Sequence, residues 1–275
     1  MSTESLAFIG GGNMARALIG GLVASGHAPG NLRISDPAPA ARAQLAATWP
    51  GIGVFADNLE AAAGAATWVL AVKPQQLQSV ARALAPLAQA ERPLVISVAA
   101  GIRASHLVSW LGPDVPIVRT MPNRPALLGC GVTALFAGSA VGEASKRRAS
   151  RILAAVGESV WIEDEALMDA VTAVSGSGPA YVFLLVEMLE SAARAEGLDP
   201  VAARRLAVGT VHGAARMARE LDEEPGVLRE QVTSPGGTTA AALKVLEDAG
   251  IRATFAAAIR AGTRRSRQLA DEFGN

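Results

Sequence analysis

With 275 residues, 50% of them hydrophobic and 4% aromatic, and 25 basic against 25 acidic side chains, the chain has the length for one or two domains and no net charge. That balance advertises no basic face for nucleic acid, and no charge run reads as a tail. The abundance of Ala and Gly over aromatics suits packed helices and α/β layers better than an all-β fold. Cys130 is the single cysteine, which excludes an internal disulfide and a cysteine zinc cluster. It is expected as a small buried hydrophobe, and no metal site is expected. The opening MSTESLAFIGGG has no basic region or long apolar stretch, so no signal peptide is expected. No uninterrupted apolar run approaches the ~20 residues of a membrane span. A cytoplasmic protein is the expectation.

Leu6 to Ile9 is a short apolar run followed at once by Gly10-Gly11-Gly12-Asn13-Met14-Ala15, then by a helical pattern through Leu18, Leu22 and Val23 that stops near Gly26. This is strand, glycine turn and helix in the order of a dinucleotide fingerprint, G-x-G-x-x-A. One glycine makes the tight turn, one lets backbone meet a pyrophosphate, and the small Ala15 lets helix cross strand. A structural glycine turn is the alternative. The second strand, Asn31 to Ser35, ends at Asp36-Pro37. An acidic residue ~20 positions past the glycines is where a ribose 2′-hydroxyl is usually held. Asp36 therefore favours NADH and opposes the extra phosphate of NADPH, with Arg33 and Arg42 near enough in sequence to offset that. Alternatively, Asp36 only caps the next helix, with Pro37 at its first position. Cofactor choice stays open between NADPH and NADH.

A strand at Gly51 to Phe55 and Asn58 follow, then a buried strand, Ala66 to Val72, ending at Lys73-Pro74-Gln75. Ligands gather at the carboxyl ends of parallel strands, which puts Lys73, one of three lysines, at the cofactor rim. Leu94 to Val98 is another strand, ending at Ala99-Ala100-Gly101, small enough for a flat ring to lie close. Pro116 to Arg119 leads into Thr120-Met121-Pro122-Asn123-Arg124-Pro125-Ala126. Gly131 to Phe136 reads as a strand, Glu143 to Val156 as a surface helix, and Val160 to Ile162 closes the sheet. This alternation predicts a doubly wound parallel sheet over residues 1–163.

From Asp164 onward only helical periods remain, so residues 164–275 read as an all-α domain for substrate and dimerisation. Pro179 to Glu196 stops at Gly197, and Pro200 to Leu221 is opened by Asp199-Pro200 as cap and first residue. The same boundary signals give helices at about 239–249 and about 251–270. These helices carry Ala and Leu all round, so packing against a second subunit is expected, as a homodimer or larger. Before the penultimate helix lies Val232-Thr233-Ser234-Pro235-Gly236-Gly237-Thr238-Thr239. Such a loop on a helix N-terminus offers free N–H groups and a favourable dipole to a small carboxylate. A Gly-Gly turn with an ordinary Thr cap would look the same.

Taken together, the glycine turn, VKPQ, SVAAG, RTMPN-PA, SGSGPAYVF and SPGGTT occur in an order that resembles pyrroline-5-carboxylate reductase, from about Ala7 to about Leu269. The resemblance implies a Rossmann domain followed by a helical dimerisation domain, often in rings of dimers. It implies hydride transfer from a nicotinamide cofactor to the C=N carbon of pyrroline-5-carboxylate, giving proline. By position, Ile9, Gly10, Gly11, Gly12, Asn13 and Met14 would hold the pyrophosphate. Asp36 and Asn58 would meet the adenosine ribose or its 2′-phosphate. Ala71, Val72, Lys73, Pro74, Val98, Ala99 and Ala100 would line the cofactor. Ser234, Gly236, Gly237, Thr238, Thr239, Gln231 and Glu165 would contact substrate, with the Thr239 hydroxyl at the ring nitrogen. Asp36 departs from the small Ser usual at the phosphate end, and Arg124 from the usual Thr.

Reducing a cyclic imine needs a hydride donor, a proton at nitrogen and an anchor for the carboxylate, but no strong protein acid. That fits a chain whose histidines, His27, His106 and His212, form no ligand-like cluster and read as structural. Orientation catalysis centred on Thr239 is the expectation. A hydroxyacid dehydrogenase of similar plan would call for a lysine in the helix that reads PAYVFLLVEMLE, which has none. A reductase of another cyclic imino acid and a non-catalytic NAD(P)-binding scaffold are the remaining alternatives.

Overall fold

The computed structural model describes residues 4–274; Met1 to Thr3 of the opening stretch lie outside them. The elements in order are β1 (Leu6–Ile9), α1 (Asn13–Ala24), β2 (Leu32–Ser35), α2 (Pro39–Thr48), β3 (Gly53–Phe55), α3 (Asn58–Ala62), β4 (Thr67–Leu70), α4 (Pro74–Glu91), β5 (Leu94–Ser97), α5 (Ala104–Leu111), β6 (Ile117–Pro122), β7 (Gly131–Ala137), α6 (Glu143–Leu153) and β8 (Gly157–Trp161). Only helices follow: α7 (Met168–Val171), α8 (Gly178–Ala195), α9 (Pro200–Glu220), α10 (Pro225–Gln231), α11 (Thr238–Asp248) and α12 (Ile251–Gly274).

The strands form one sheet in the order β3-β2-β1-β4-β5-β6-β7-β8. All neighbouring pairs are parallel except β6 and β7. β1, β4 and β5 are buried at every position, because parallel central strands are covered on both faces. Leu6 and Phe8 pack on one face with Leu18, Ile19 and Leu22 of α1. Ala7 and Ile9 pack on the other, with Trp68 and with Leu77, Ala81 and Leu84 of α4. The strand order reverses between β1 and β4, the switch point at which doubly wound sheets bind ligands.

Some expectations are corrected. The alternation of strand and helix breaks between β6 and β7, which only a 3-10 turn, Arg124–Leu128, connects. An antiparallel pair needs no crossover helix. α2 opens at Pro39, with Ala38 as its cap, so Pro37 is not its first residue. Cys130 is exposed, because the left-handed Gly129 turns the chain out just before β7. Helix α10 goes beyond the elements expected from sequence.

By contacts the chain divides into Met1–Gly176 together with Gly262–Asn275, and Ser177–Ala261. In the second unit, α9 is capped by Asp199, whose Oδ1 accepts from the Val201 and Ala202 N–H groups. Ala203, Ala207 and Leu228 are its buried hydrophobic residues among those described, while Phe183, Leu184, Met188, Val201, Leu206 and Phe255 are exposed. So much uncovered apolar surface is typical of an interface. Glu165–Ala195 is long and apolar enough to cross a membrane on length and composition, although Asp169, Thr172, Ser175 and Glu187 break its apolar run. A π turn at Thr172–Gly176 interrupts it.

Candidate active site

The glycine turn lies at the carboxyl end of β1. Gly10 has φ +103°, and a Cβ on it would come within 2.9 Å of the Ala71 carbonyl. Its N–H donates to the Ser35 carbonyl at 3.1 Å, and the Ala71 N–H donates to the Ile9 carbonyl at 2.8 Å. Only glycine fits so close an approach in that conformation. Gly12 caps α1 with extended backbone and no side-chain cap, so the first-turn N–H groups of α1 stay open to an anion. The open helix end and the glycine backbone fit a pyrophosphate.

Asp36, at the end of β2, is tied to this turn. Its Oδ2 accepts from the Gly11 N–H at 3.2 Å, and its Oδ1 accepts from the Ala38 N–H at 2.9 Å. The carboxylate thus organises the loop before α2 and faces the glycines together. Arg42 donates to the Asp36 and Pro37 carbonyls at 2.8 and 2.9 Å. Arg33 instead lies over the Phe55 ring and donates to the Glu60 and Ala63 carbonyls. Arg16 was not anticipated. From the first turn of α1 it donates to the Gly11 carbonyl and to Gln44 Oε1, both at 2.9 Å. Its place one helical turn past Gly12 was the available signal. Asn58 opens α3, and the Ser35 hydroxyl donates to its Oδ1 at 2.7 Å.

Lys73 caps α4 with an exposed side chain, and Pro74 occupies the first helical position. Ala71 and Val72 are half-buried at the end of β4. Beyond β5, Val98 is half-buried, Ala99 buried and Ala100 exposed, with the Val98 N–H donating to the Leu70 carbonyl at 3.1 Å. The expected cofactor residues therefore gather at the carboxyl ends of β1, β2, β3, β4 and β5.

The expected substrate residues lie on the second unit, apart from Glu165. The Gly237 N–H donates to the Ser234 carbonyl at 3.0 Å, closing a turn with Pro235 and Gly236 at its centre. Gly236 has φ +72°, the left-handed conformation that a type II turn requires after proline. Gly237, not a threonine, caps α11, and no side-chain cap bond is made. The alternative of an ordinary Thr cap is thereby corrected: Thr238 and Thr239 are the first two helical residues, and their hydroxyls are not spent on capping. Gln231 is exposed at the end of α10.

Glu165 belongs to the first unit. Its Oε1 accepts from Arg119 Nη1 at 2.9 Å and from the Ala104 N–H at 2.6 Å. The Arg119 side chain is only 5% exposed, so this is a largely buried ion pair. His106, on the first turn of α5, accepts at Nδ1 from the Arg103 N–H at 3.3 Å and stacks on Trp110. Burial, then the Arg103 charge, lower its pKa, Arg119 acts in the same direction, and Glu165 and Asp271 oppose them. His27 is buried and His212 exposed. Among the described residues no group of three or more His, Cys, Asp or Glu side chains is placed to hold a metal.

Residues 165–269 match the family model described as pyrroline-5-carboxylate reductase dimerisation, and residues 5–101 match the one described as NADP oxidoreductase, coenzyme F420-dependent. The chain is 47% identical over 274 residues to the pyrroline-5-carboxylate reductase of Pseudomonas aeruginosa, with 100% of both chains covered. The chain belongs to the pyrroline-5-carboxylate reductase family. The family's Coxiella burnetii reductase superposes with a TM-score of 0.94 at 40% identity, covering 98% of this chain and 99% of that one. A Plasmodium falciparum reductase with NADP bound superposes with a TM-score of 0.86 at 30% identity, covering 98% and 99%. The Rossmann sheet and the helical dimerisation region expected from sequence are both present in this family member.

Proposed function

We infer that this chain reduces the C=N bond of 1-pyrroline-5-carboxylate to L-proline, the final step of proline biosynthesis, with NADPH or NADH as the hydride donor. The observation that carries the inference is its likeness, over its whole length, to the Pseudomonas aeruginosa reductase. Residues 1–163 form the dinucleotide-binding part and residues 164–275 the substrate and dimerisation part.

The cofactor supplies a hydride when bound; the chain supplies position. Gly10 to Met14 bind the pyrophosphate through backbone N–H groups and the α1 dipole. Asp36 and Asn58 hold the adenosine ribose end, and Ala71 to Pro74 with Val98 to Ala100 line the nicotinamide end. Gly236, Gly237 and Thr238 fix the substrate carboxylate at the N-terminus of α11, with Ser234 and Gln231 at its rim and Glu165 as a further contact. Thr239 orients the ring nitrogen through its hydroxyl and passes it a proton. The uncapped end of α11 supports this reading, because its donors have no competing partner in the turn. Holding two reactants in register removes much of the entropic part of the barrier without a strong acid.

The chain forms a homo-oligomer through its helical region, as the dimerisation match implies. A ring of dimers is the larger assembly we propose, since the apolar faces of α8 and α9 extend over both helices. The apolar stretch Glu165–Ala195 lies inside the dimerisation match, so we assign it to a partner subunit rather than to lipid, and place the enzyme in the cytoplasm. Oxidation of NADH and of NADPH, measured side by side with pyrroline-5-carboxylate, tests the function. Imine-dependent oxidation of either is expected; none from a folded, cofactor-binding protein would move the reading to another cyclic imine or to a non-catalytic binder.

A further inference from the structure

The loop after β5 is held by the far end of the chain. Gly101 has φ +75°, and a Cβ on it would lie 3.2 Å from Phe273 Cδ2 and 3.6 Å from Leu269 Cβ. Phe273 is half-buried and packs against the core cluster that contains Ala99 and Ile102. Two residues further along, Arg103 Nη2 meets Asp271 Oδ1 at 2.6 Å. Gly274 lies against the His106 ring, so closely that a Cβ there would come within 2.2 Å of it. The same helix is fastened one turn and more earlier, where the buried Ser266 hydroxyl donates to Asp169 Oδ1 at 2.6 Å. From the other side, Glu165 takes the Ala104 N–H. Residues 101–106 are thus clamped between the end of α12 and Glu165, directly after Ala99 and Ala100.

We propose that the C-terminal end of α12 sets the position of the Ala99–Gly101 loop, making Phe273 and Asp271 positioning residues for the nicotinamide ring. The proposal rests on the reading that this loop lines the nicotinamide end of the cofactor. Phe273 fills the space that glycine leaves at position 101, and the Arg103–Asp271 pair fixes the direction of approach. Gly101 has no side chain of its own to hold the loop, so the contact from α12 substitutes for internal packing. A small displacement of a surface that carries a reacting ring is costly for hydride transfer, because rate depends steeply on alignment. Neither residue touches reacting atoms in this scheme.

NADH and ADP-ribose share everything but the nicotinamide, so their affinities separate the two ends of the site. Phe273→Ala is expected to weaken NADH binding about tenfold and to lower turnover more, with ADP-ribose affinity unchanged. Asp271→Ala should move both values in the same direction by less, and Asp271→Glu should restore them. Equal loss of NADH and ADP-ribose affinity in Phe273→Ala would mean general destabilisation and overturn the proposal. Unchanged NADH affinity and turnover overturn the clamp if Ala100→Trp, which fills the loop's open face, still weakens NADH binding. If Ala100→Trp is also neutral, the loop does not meet the nicotinamide, and that reading falls together with the proposal.

Discussion

Gly11 and Asp36 form a mutually dependent pair. The Gly11 N–H donates to Asp36 Oδ2 at 3.2 Å, and any side chain at position 11 would place its Cβ 2.8 Å from that same oxygen. A carboxylate held here repels a 2′-phosphate and accepts from a 2′-hydroxyl. Arg42 and Arg16 donate to carbonyls beside it, so positive charge is also close. Asp36→Ser removes the repulsion and leaves both guanidinium groups in place. The ratio of kcat/KM for NADPH to that for NADH should rise by about tenfold or more, an energy within the range of one unfavourable charge contact. An unchanged ratio would mean that Asp36 serves only the loop before α2.

Arg119 and Glu165 offer a stability test. Arg119 is buried within β6 and Glu165 is partly exposed, so removal of either leaves a charge with poor solvation. Arg119→Met or Glu165→Gln should each cost ~3 kcal/mol in urea unfolding, the lower end of the range for breaking a buried pair. The double variant should lose less than the sum of the two, since neither charge is then stranded. Additive losses would show that the pair is not coupled. Glu165→Gln also reads the proposed substrate contact, through the KM for the imine.

These two pairs mark the limit of what sequence patterns carry. The strands were legible because β1, β4 and β5 are short apolar runs buried at every position, and the glycine turn because its residues follow β1 directly. Helix starts at Pro200 and at Gly237-Thr238 follow from local turn and cap chemistry. Nothing local joins Arg119 to Glu165, 46 residues apart, or Arg103 to Asp271, 168 apart. Those contacts come from packing of distant elements. Cys130 shows the same limit at short range. Its composition favours burial, but the left-handed backbone at Gly129 decides where the chain points.

His106 predicts a pH dependence of stability. Burial and the nearby Arg103 depress its folded pKa below the usual imidazole value of 6.5, against the opposing charges of Glu165 and Asp271. Between the folded pKa and 6.5 the unfolded chain binds more protons than the folded one, so stability rises with pH across that window. The contribution is complete above the unfolded value and is lost as pH falls through the window. Urea midpoints measured from about pH 5 to about pH 8 should therefore fall towards acid, and less steeply in His106→Asn. A variant whose pH profile parallels the parent's would assign the acid sensitivity to other groups.

Thr239 is the sharpest test of orientation catalysis. It is the second residue of α11, half-buried, with a hydroxyl that caps nothing. If that hydroxyl orients and protonates the imine nitrogen, Thr239→Ala should lower kcat by well over tenfold, towards the ~10²–10⁴-fold that proton transfer by a positioned group typically contributes. The KM for cofactor should hardly move, because α11 carries none of the proposed dinucleotide contacts. Thr239→Ser keeps the hydroxyl and should recover most of the rate, while Thr238→Ala should act mainly through the KM for the imine as a carboxylate contact. A Thr239→Ala enzyme with unaltered turnover would leave the N–H groups of α11 as the only contribution of this turn, and the proton would then come from solvent.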